Sequence, residues 1–323
     1  MLVKTKEVAP SVYALTIPTP FLVGPVNVYV IEGEALTLVD TGPNTEEARS
    51  VITEELGRLG YRPQDIEVLI LTHHHPDHIG LTEMFSHAAL YGHEKLLPWL
   101  ENNHSFHEHK ARFFSDLYRS HGVPDSVRKM IEGANSYYAG YASRGNMAGV
   151  LKENDGIPGL PGWSVIETPG HAQSQISLFR ESDGVLISGD HLIKHISSNA
   201  IIEAPYVEGE DRPKTLLQYR DSLKKCRHVR RAFSGHGEPV DNPAELIEER
   251  LGKQLEKAAA IKNLAGSETL TAFEICVRLY PQMYKKQPGL TLSETLGHLD
   301  LLEVNGEMTV RQENGVFYYR AVD

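Results

Sequence analysis

Apolar and polar positions alternate along Ser11–Ile17, a period of two that predicts a half-buried strand closed by Pro18 and Pro20. Val26–Ile31 and Ala35–Val39 are apolar runs flanking Glu32-Gly33-Glu34, which predicts a hairpin. The second run ends in the turn Asp40-Thr41-Gly42-Pro43. An amphipathic pattern from about Glu46 to Leu59 follows, with Asn44 or Thr45 as the N-cap. Glu67–Leu71 is continuous and β-branched, as expected of a strand buried on both faces.

From His93 to Val150 the strand signals stop. Phe106, Phe113, Phe114, Leu117 and Tyr118 recur at helical spacing. The Tyr137-Tyr138-Ala139-Gly140-Tyr141 cluster reads first as helix-packing core; the alternative is a helical lid over residues 93–150 that lines a partly apolar pocket. Strands resume at Trp163–Glu167, Gln175–Phe179, Val185–Ser188 and Ala232–Ser234. Beyond Pro239, helices are predicted from Asn242-Pro243 to about Leu264, over Thr271–Leu279 and over Leu292–Leu302. A hairpin through Met308–Val310 and Val316–Tyr319 then completes the chain.

The chemistry concentrates at strand ends. Directly after Glu67–Leu71 come His73, His75, Asp77 and His78, three imidazoles and a carboxylate in a His-x-His-x-Asp-His order. These are ligand types that zinc and similar divalent ions favour. Alternate residues share a face at a strand end, so His73 and His75 aim alike, while Asp77 and His78 fall on the next turn and can serve a second ion. Three further apolar segments stop at turns carrying His171 (Thr-Pro-Gly-His), Asp190 (Ser-Gly-Asp) and His236 (Ser-Gly-His-Gly), for seven candidate ligands. Asp40 ends a strand in the same way; an outer carboxylate that orients a ligating imidazole suits it better than direct ligation. His104, His107 and His109 lack the spacing that pairs imidazoles on a helix and are read as surface or hydrogen-bonding residues.

Val39-Asp40-Thr41-Gly42, the His-x-His-x-Asp-His run, Thr168–His171, Ser188–Asp190 and Ser234–Gly237 occur in the order of the metallo-β-lactamase superfamily, which the chain resembles over residues 10 to 245. Its glyoxalase II-like and lactonase-like hydrolases are the nearer match. The resemblance implies an α/β fold, an αββα sandwich with its site at one edge of two packed sheets. It implies two divalent metal ions, zinc first, with iron or manganese as alternatives. His73, His75 and His171 would hold one ion, Asp77, His78 and His236 the other, and Asp190 would bridge them. Zinc β-lactamases usually place a cysteine among these ligands, and neither Cys226 nor Cys276 lies in a ligand motif. Ala172-Gln173-Ser174-Gln175 departs from the Thr and Gly or second His common in relatives. The implied activity is hydrolysis of a small carbonyl ester, thioester or lactone by a metal-bridging hydroxide, since a bound ion lowers the pKa of water towards ~7. Asp77 is the candidate general base. Lys194, His195 and Tyr206 follow Asp190 closely but serve equally well as polar loop residues.

Length and charge bound the rest. The 323 residues suggest about two domains at ~150 residues each: residues 1–245 with the insertion at 93–150, then 246–323. The second resembles the small winged-helix-like module appended to β-lactamase-like and glyoxalase-like proteins. Winged helices often bind DNA, yet from Arg250 to Asp323 nine Lys/Arg oppose nine Asp/Glu, and the third helix has no Lys or Arg over Ser293–Asp300. Affinity for nucleic acid needs a row of cations. A packing role or a homodimer contact fits that module better than a DNA-binding regulator. A net charge of −11 points the same way, although Lys224, Lys225, Arg227, Arg230 and Arg231 form one basic run that keeps a phosphodiesterase or ribonuclease as the second reading. Two distant cysteines, no apolar leader after Met1 and no membrane-length apolar run make the cytoplasm the expected setting and a small molecule the expected partner.

Overall fold

In the computed structural model, which describes residues 6–322, the alternating segments become a seven-stranded sheet. Its strands lie side by side in chain order: β1 (Lys6–Ala9), β2 (Val12–Ile17), β3 (Val26–Glu32), β4 (Leu36–Val39), β5 (Val68–Leu71), β6 (Ala89–Gly92) and β7 (Met147–Val150). Neighbours from β1 to β4 are antiparallel, and β4 to β7 are parallel. A second sheet has the order β12-β11-β10-β9-β8, from β8 (Gly156–Ile157), β9 (Leu160–Glu167), β10 (Ile176–Arg180), β11 (Val185–Gly189) and β12 (Arg231–Ser234).

Both faces of the first sheet are covered, which is why β3 and β5 read as continuous apolar runs. Val28, Val30, Leu38, Leu69 and Leu71 face α1 (Glu46–Arg58) and pack on its Ala48, Ile52 and Leu56. Thr45 caps that helix by accepting from the Ala48 N–H at 3.1 Å. The alternate residues Tyr29, Ile31, Val39, Val68 and Ile70 meet Trp163, Val165, Ile176, Leu178, Ile187 and Phe233 of the second sheet. That pattern is the αββα sandwich core.

Residues 93–150 are not wholly helical. Short α3 (Leu97–Leu100), α4 (His104–Ser120) and α5 (Asp125–Ala139) are followed by β7, which pairs parallel with β6. The four residues Met147-Ala148-Gly149-Val150 are too short and small to announce a strand; the free edge of β6 recruits them. The reading of Tyr137–Tyr141 as packed core is also corrected, since Tyr137 is 56% and Tyr138 39% exposed. Among the described residues no helix is long and apolar enough to cross a membrane.

The chain divides into two compact units. One takes the residues up to Asn103, Tyr137–Ser198 and Ser222–Leu246, hence both sheets and the last turn of α6 (Thr215–Lys225). The other takes His104–Ser136, Asn199–Asp221 and the chain from Ile247, so the middle helices join the C-terminal elements. These elements are α7 (Pro243–Ala265), α8 (Ala272–Leu279), α9 (Pro288–Val304), β13 (Met308–Glu313) and β14 (Val316–Ala321). Helix α9 begins at Pro288 and is the core of its unit: Leu292, Thr295, Leu296, His298, Leu299 and Leu302 are all buried. Its acids pair inward, Asp300 with Arg212 at 2.6 Å and Glu294 with Lys257 at 2.7 Å.

Candidate metal centre

The site is built where parallel strands end together. β4 and β5 run side by side and deliver Asp40 and His73; β11 and β12 do the same with Asp190 and His236. β9 runs towards the same edge and is followed by His171. His75 occupies the N-cap position of the one-turn helix α2 (Pro76–Ile79), whose proline at the first position fixes the turn that carries Asp77 and His78. Two joints hold the sheets in register at this edge. The Ile176 N–H donates to Thr72 O at 2.9 Å, and the Asn27 N–H donates to Gly235 O at 2.6 Å.

All seven candidate ligands come together. Ligand atoms of His73, His75 and His171 lie within 4.8 Å of one another; so do those of Asp77, His78 and His236, and those of His73, His78 and Asp190. His75 Nδ1 is 2.9 Å from His73 Nε2 and 3.0 Å from His171 Nε2. Asp190 sits centrally, with Oδ1 3.4 Å from His78 Nε2 and Oδ2 3.4 Å from His236 Nε2 and 3.6 Å from His171 Nε2. Asp77 Oδ2 is 3.2 Å from His236 Nε2.

Asp40 bonds to one of these imidazoles directly and to another through Thr72. Its Oδ2 accepts from His78 Nδ1 at 2.7 Å and from Thr72 Oγ1 at 2.8 Å, while Oδ1 accepts from the Thr72 N–H at 2.8 Å. Having given its proton to Asp40, the Thr72 hydroxyl accepts from His73 Nδ1 at 3.0 Å. One carboxylate thus sets the tautomer of two imidazoles, and both present Nε2 inward. His236 is fixed likewise by donating from Nδ1 to Pro25 O at 2.8 Å.

The electrostatics are those of a cation site. Burial, reinforced by neighbouring imidazoles, lowers the pKa of His73 and His75 well below the usual range, so both offer neutral lone pairs. Burial also opposes charging His78 and His236, but Asp190 and its companion carboxylates outweigh it. The His78 pKa rises well above normal and that of His236 is pushed up to about 10. Burial raises Asp190, yet His236 and His78 together hold it well below the ordinary carboxylate range. His78 Nε2, His236 Nε2 and Asp190 Oδ1 are buried and make no hydrogen bond. Buried polar atoms rarely stay unsatisfied. These three converge with the lone pairs of His73 and His75, so a borderline divalent cation fits the donor set.

Several supports had little or no sequence signal. His74, between two ligands, stacks on Trp99 at 4.0 Å and pairs Nδ1 with Ser174 Oγ at 2.9 Å. Ser174 lies in the Ala172–Gln175 stretch, so this bond ties the two histidine loops together. Gly235 is required by space: a Cβ there would stand 2.2 Å from Asp190 Oδ1. Lys194 pairs with Glu238 at 2.9 Å and His195 lies against Gly237, while Tyr206 belongs to the other unit. Of the middle histidines, His104 is exposed and His109 bonds to Pro205 O at 2.9 Å. Cys226 is buried with its thiol pushed up to about 12, and Cys276 is buried too. Neither belongs to a candidate ligand group.

Both the sequence and the fold have counterparts among known proteins. The profile of the metallo-beta-lactamase superfamily matches residues 22–236. Probable metallo-hydrolase YqjP of Bacillus subtilis (strain 168) is 40% identical over 97% of this chain and 98% of its own length. Beta-lactamase-like protein 2 homolog of Caenorhabditis elegans is 25% identical over 81% of this chain and 73% of its own. Among solved structures, a metallo-beta-lactamase family protein from Thermus thermophilus superposes with a TM-score of 0.82 at 27% identity, covering 98% of this chain and all of that one.

Proposed function

The chain belongs to the metallo-beta-lactamase superfamily and is a metal-dependent hydrolase, and from that premise we propose that it cleaves small carbonyl esters, thioesters or lactones with two divalent ions. The observation that carries the dinuclear reading is the pair of ligand groups, His73/His75/His171 and Asp77/His78/His236, with Asp190 between them. Zinc suits this nitrogen-rich set, with iron or manganese as alternatives. Such ions supply Lewis acidity and a water acidic enough to react near neutral pH.

The protein supplies the rest. Asp40 and the Pro25 carbonyl orient His78, His73 and His236, so the donors need not reorganise during turnover. Asp77 is assigned to take the proton of the attacking water and return it to the leaving alcohol or thiol. Asp190, paired with three imidazoles, stays ionised and only holds.

The charge map supports a carbonyl substrate over a nucleic acid. Two members of the basic run start a strand at its end away from the site, and two of its cations are engaged by carboxylates. Arg230 and Arg231 flank the start of the four-residue β12 beside Gly184, at the opposite end of that strand from His236. Lys225 is engaged by Glu153 at 3.4 Å, and Arg231 by Asp241 at 2.8 Å. The helix that would read DNA, α9, is buried, which favours a packing role for the C-terminal elements. A parallel screen of metal-loaded protein on esters, thioesters, lactones, a phosphodiester and short RNA tests the proposal. A carbonyl ester is expected to exceed the phosphodiester in kcat/KM by a wide margin. Preference for the phosphodiester or RNA would reverse the ranking.

A further inference from the structure

An exposed aromatic group adjoins one side of the centre. Phe21 makes edge contacts with Tyr138 and Tyr141, with ring centroids 5.3 Å apart in each pair. Tyr137 packs on Tyr138 at 5.6 Å and on Tyr141 at 5.3 Å, and the Tyr141 hydroxyl donates to that of Tyr137 at 2.8 Å. Part of the group is open to solvent: Tyr137 is 56% and Tyr138 39% exposed, Leu22 next to Phe21 is 82% exposed, and Phe21 and Tyr141 are half-buried. Isolated exposed apolar residues are ordinary, but a contiguous group of them marks a binding surface. Edge-to-face packing leaves flat ring faces free.

The group is tied to the centre from two directions, within one compact unit. From one direction, the β2–β3 loop carries Phe21 and Leu22. Pro25 O in that loop accepts from His236 Nδ1 at 2.8 Å, and Asn27 Nδ2 donates to Gly237 O at 2.9 Å. A single turn, closed by the Gly24 N–H on Phe21 O at 3.1 Å, separates Phe21 from Pro25. From the other direction, Tyr141 O accepts the Asn44 N–H at 2.9 Å, and Ser143 Oγ donates to Ile79 O at 3.1 Å, next to His78. The rings therefore border the Asp77/His78/His236 group, whereas the opposite group is flanked by the His74–Trp99 stack.

We infer that Phe21, Leu22, Tyr137, Tyr138 and Tyr141 form an acyl shelf that receives the apolar chain of the ester or thioester beside His78 and His236. None of these five residues is Lys or Arg, which favours an apolar chain there over an anionic tail. The shelf's attachment to two ligand-bearing loops selects a group covalently close to the reacting carbonyl. This inference rests on the ester reading above and specifies its substrate as medium-chain or arylalkyl rather than acetyl.

The test compares octanoyl and acetyl esters of one alcohol in the wild type, Phe21→Ala, Tyr138→Ala and Leu22→Asp. Each buried methylene is worth about fourfold in affinity, so covering only two of the six extra methylenes gives roughly tenfold. The octanoyl-to-acetyl ratio of kcat/KM is expected to fall by about tenfold in each variant, mainly through KM. Leu22 is almost fully exposed and has little packing to lose, so Leu22→Asp keeps the test valid if an aromatic variant misfolds. Calorimetry with octanoate and acetate on the metal-loaded protein gives a readout that needs no turnover. Octanoate should bind about tenfold tighter than acetate, and the variants should abolish the difference. If no ester is hydrolysed but that preference exists and is lost in the variants, the ester reading falls and the shelf stands. If esters are hydrolysed while the ratios and the octanoate preference ignore these residues, the shelf is wrong.

Discussion

Replacing Asp40 by Asn isolates the support of the metal centre from the ligands themselves. Asp40 has a φ of 62°, a left-handed conformation that Asn tolerates at least as well, so the substitution adds no backbone strain. It changes only the hydrogen-bonding inventory. Asp40 accepts three bonds, two at Oδ2 from His78 Nδ1 and Thr72 Oγ1 and one at Oδ1 from the Thr72 N–H. An amide cannot match that set: with NH2 at the Oδ2 position it faces two donors, and flipped it faces the Thr72 N–H. At least one buried donor loses its acceptor, and bonds to a charged group are worth about 1.5–3 kcal/mol each. Much of that loss falls on the orientation of His78 and, through Thr72, of His73. Affinity for divalent metal should therefore drop about 10- to 100-fold, the range found for outer-sphere partners of metal sites. Chelator competition on wild type and Asp40→Asn measures it, with far-UV circular dichroism to show that the fold persists. Unchanged metal affinity in a folded Asp40→Asn protein would refute the claim that this carboxylate sets the imidazoles.

Two further expectations follow from geometry and burial. Gly235→Ala should leave the core strands intact yet prevent stoichiometric metal binding, because the new methyl would stand 2.2 Å from Asp190 Oδ1 and 2.8 Å from His78 Cε1; metal analysis of the purified variant checks this. His121 is buried, and burial depresses its pKa to about 4, so between that value and the unperturbed ~6.5 the unfolded chain binds the proton and the folded chain does not. Stability is complete above that window and falls with pH inside it, by about 2 kcal/mol at pH 5. Urea unfolding at pH 7.5 and pH 5 should show a smaller acid loss in His121→Gln than in wild type.

How much of this was legible in the sequence depended on where the signal was stored. The sandwich strands announce themselves because β3 and β5 bury both faces and are therefore largely apolar, and the ligands announce themselves because each follows an apolar run. Edge strands carry no such pattern: β7 has a glycine, an alanine and two larger residues, and only the open edge of β6 makes it a strand. The tyrosine cluster is ambiguous in sequence for a related reason, since aromatic residues at helical spacing look the same whether they face a core or solvent. Supports that act through space were invisible. Nothing in the chain near residue 236 says that the Pro25 carbonyl will hold that imidazole, or that Ser174 will reach His74 across a hundred residues. The grouping of α4 and most of α5 with the C-terminal helices is equally non-local.

The central claim is that Asp190 joins two ligand groups into one dinuclear centre, and metal stoichiometry of wild type and Asp190→Ala tests it most directly. Protein purified without chelator and analysed for zinc, iron and manganese should hold close to two ions per chain. In Asp190→Ala, a neutral side chain replaces the charge that pairs with His78, His171 and His236, so metal content should fall towards one or less with loss of most ester turnover. A wild type that holds a single ion, together with an Asp190→Ala variant that turns over substrate at the wild-type rate, would contradict the account.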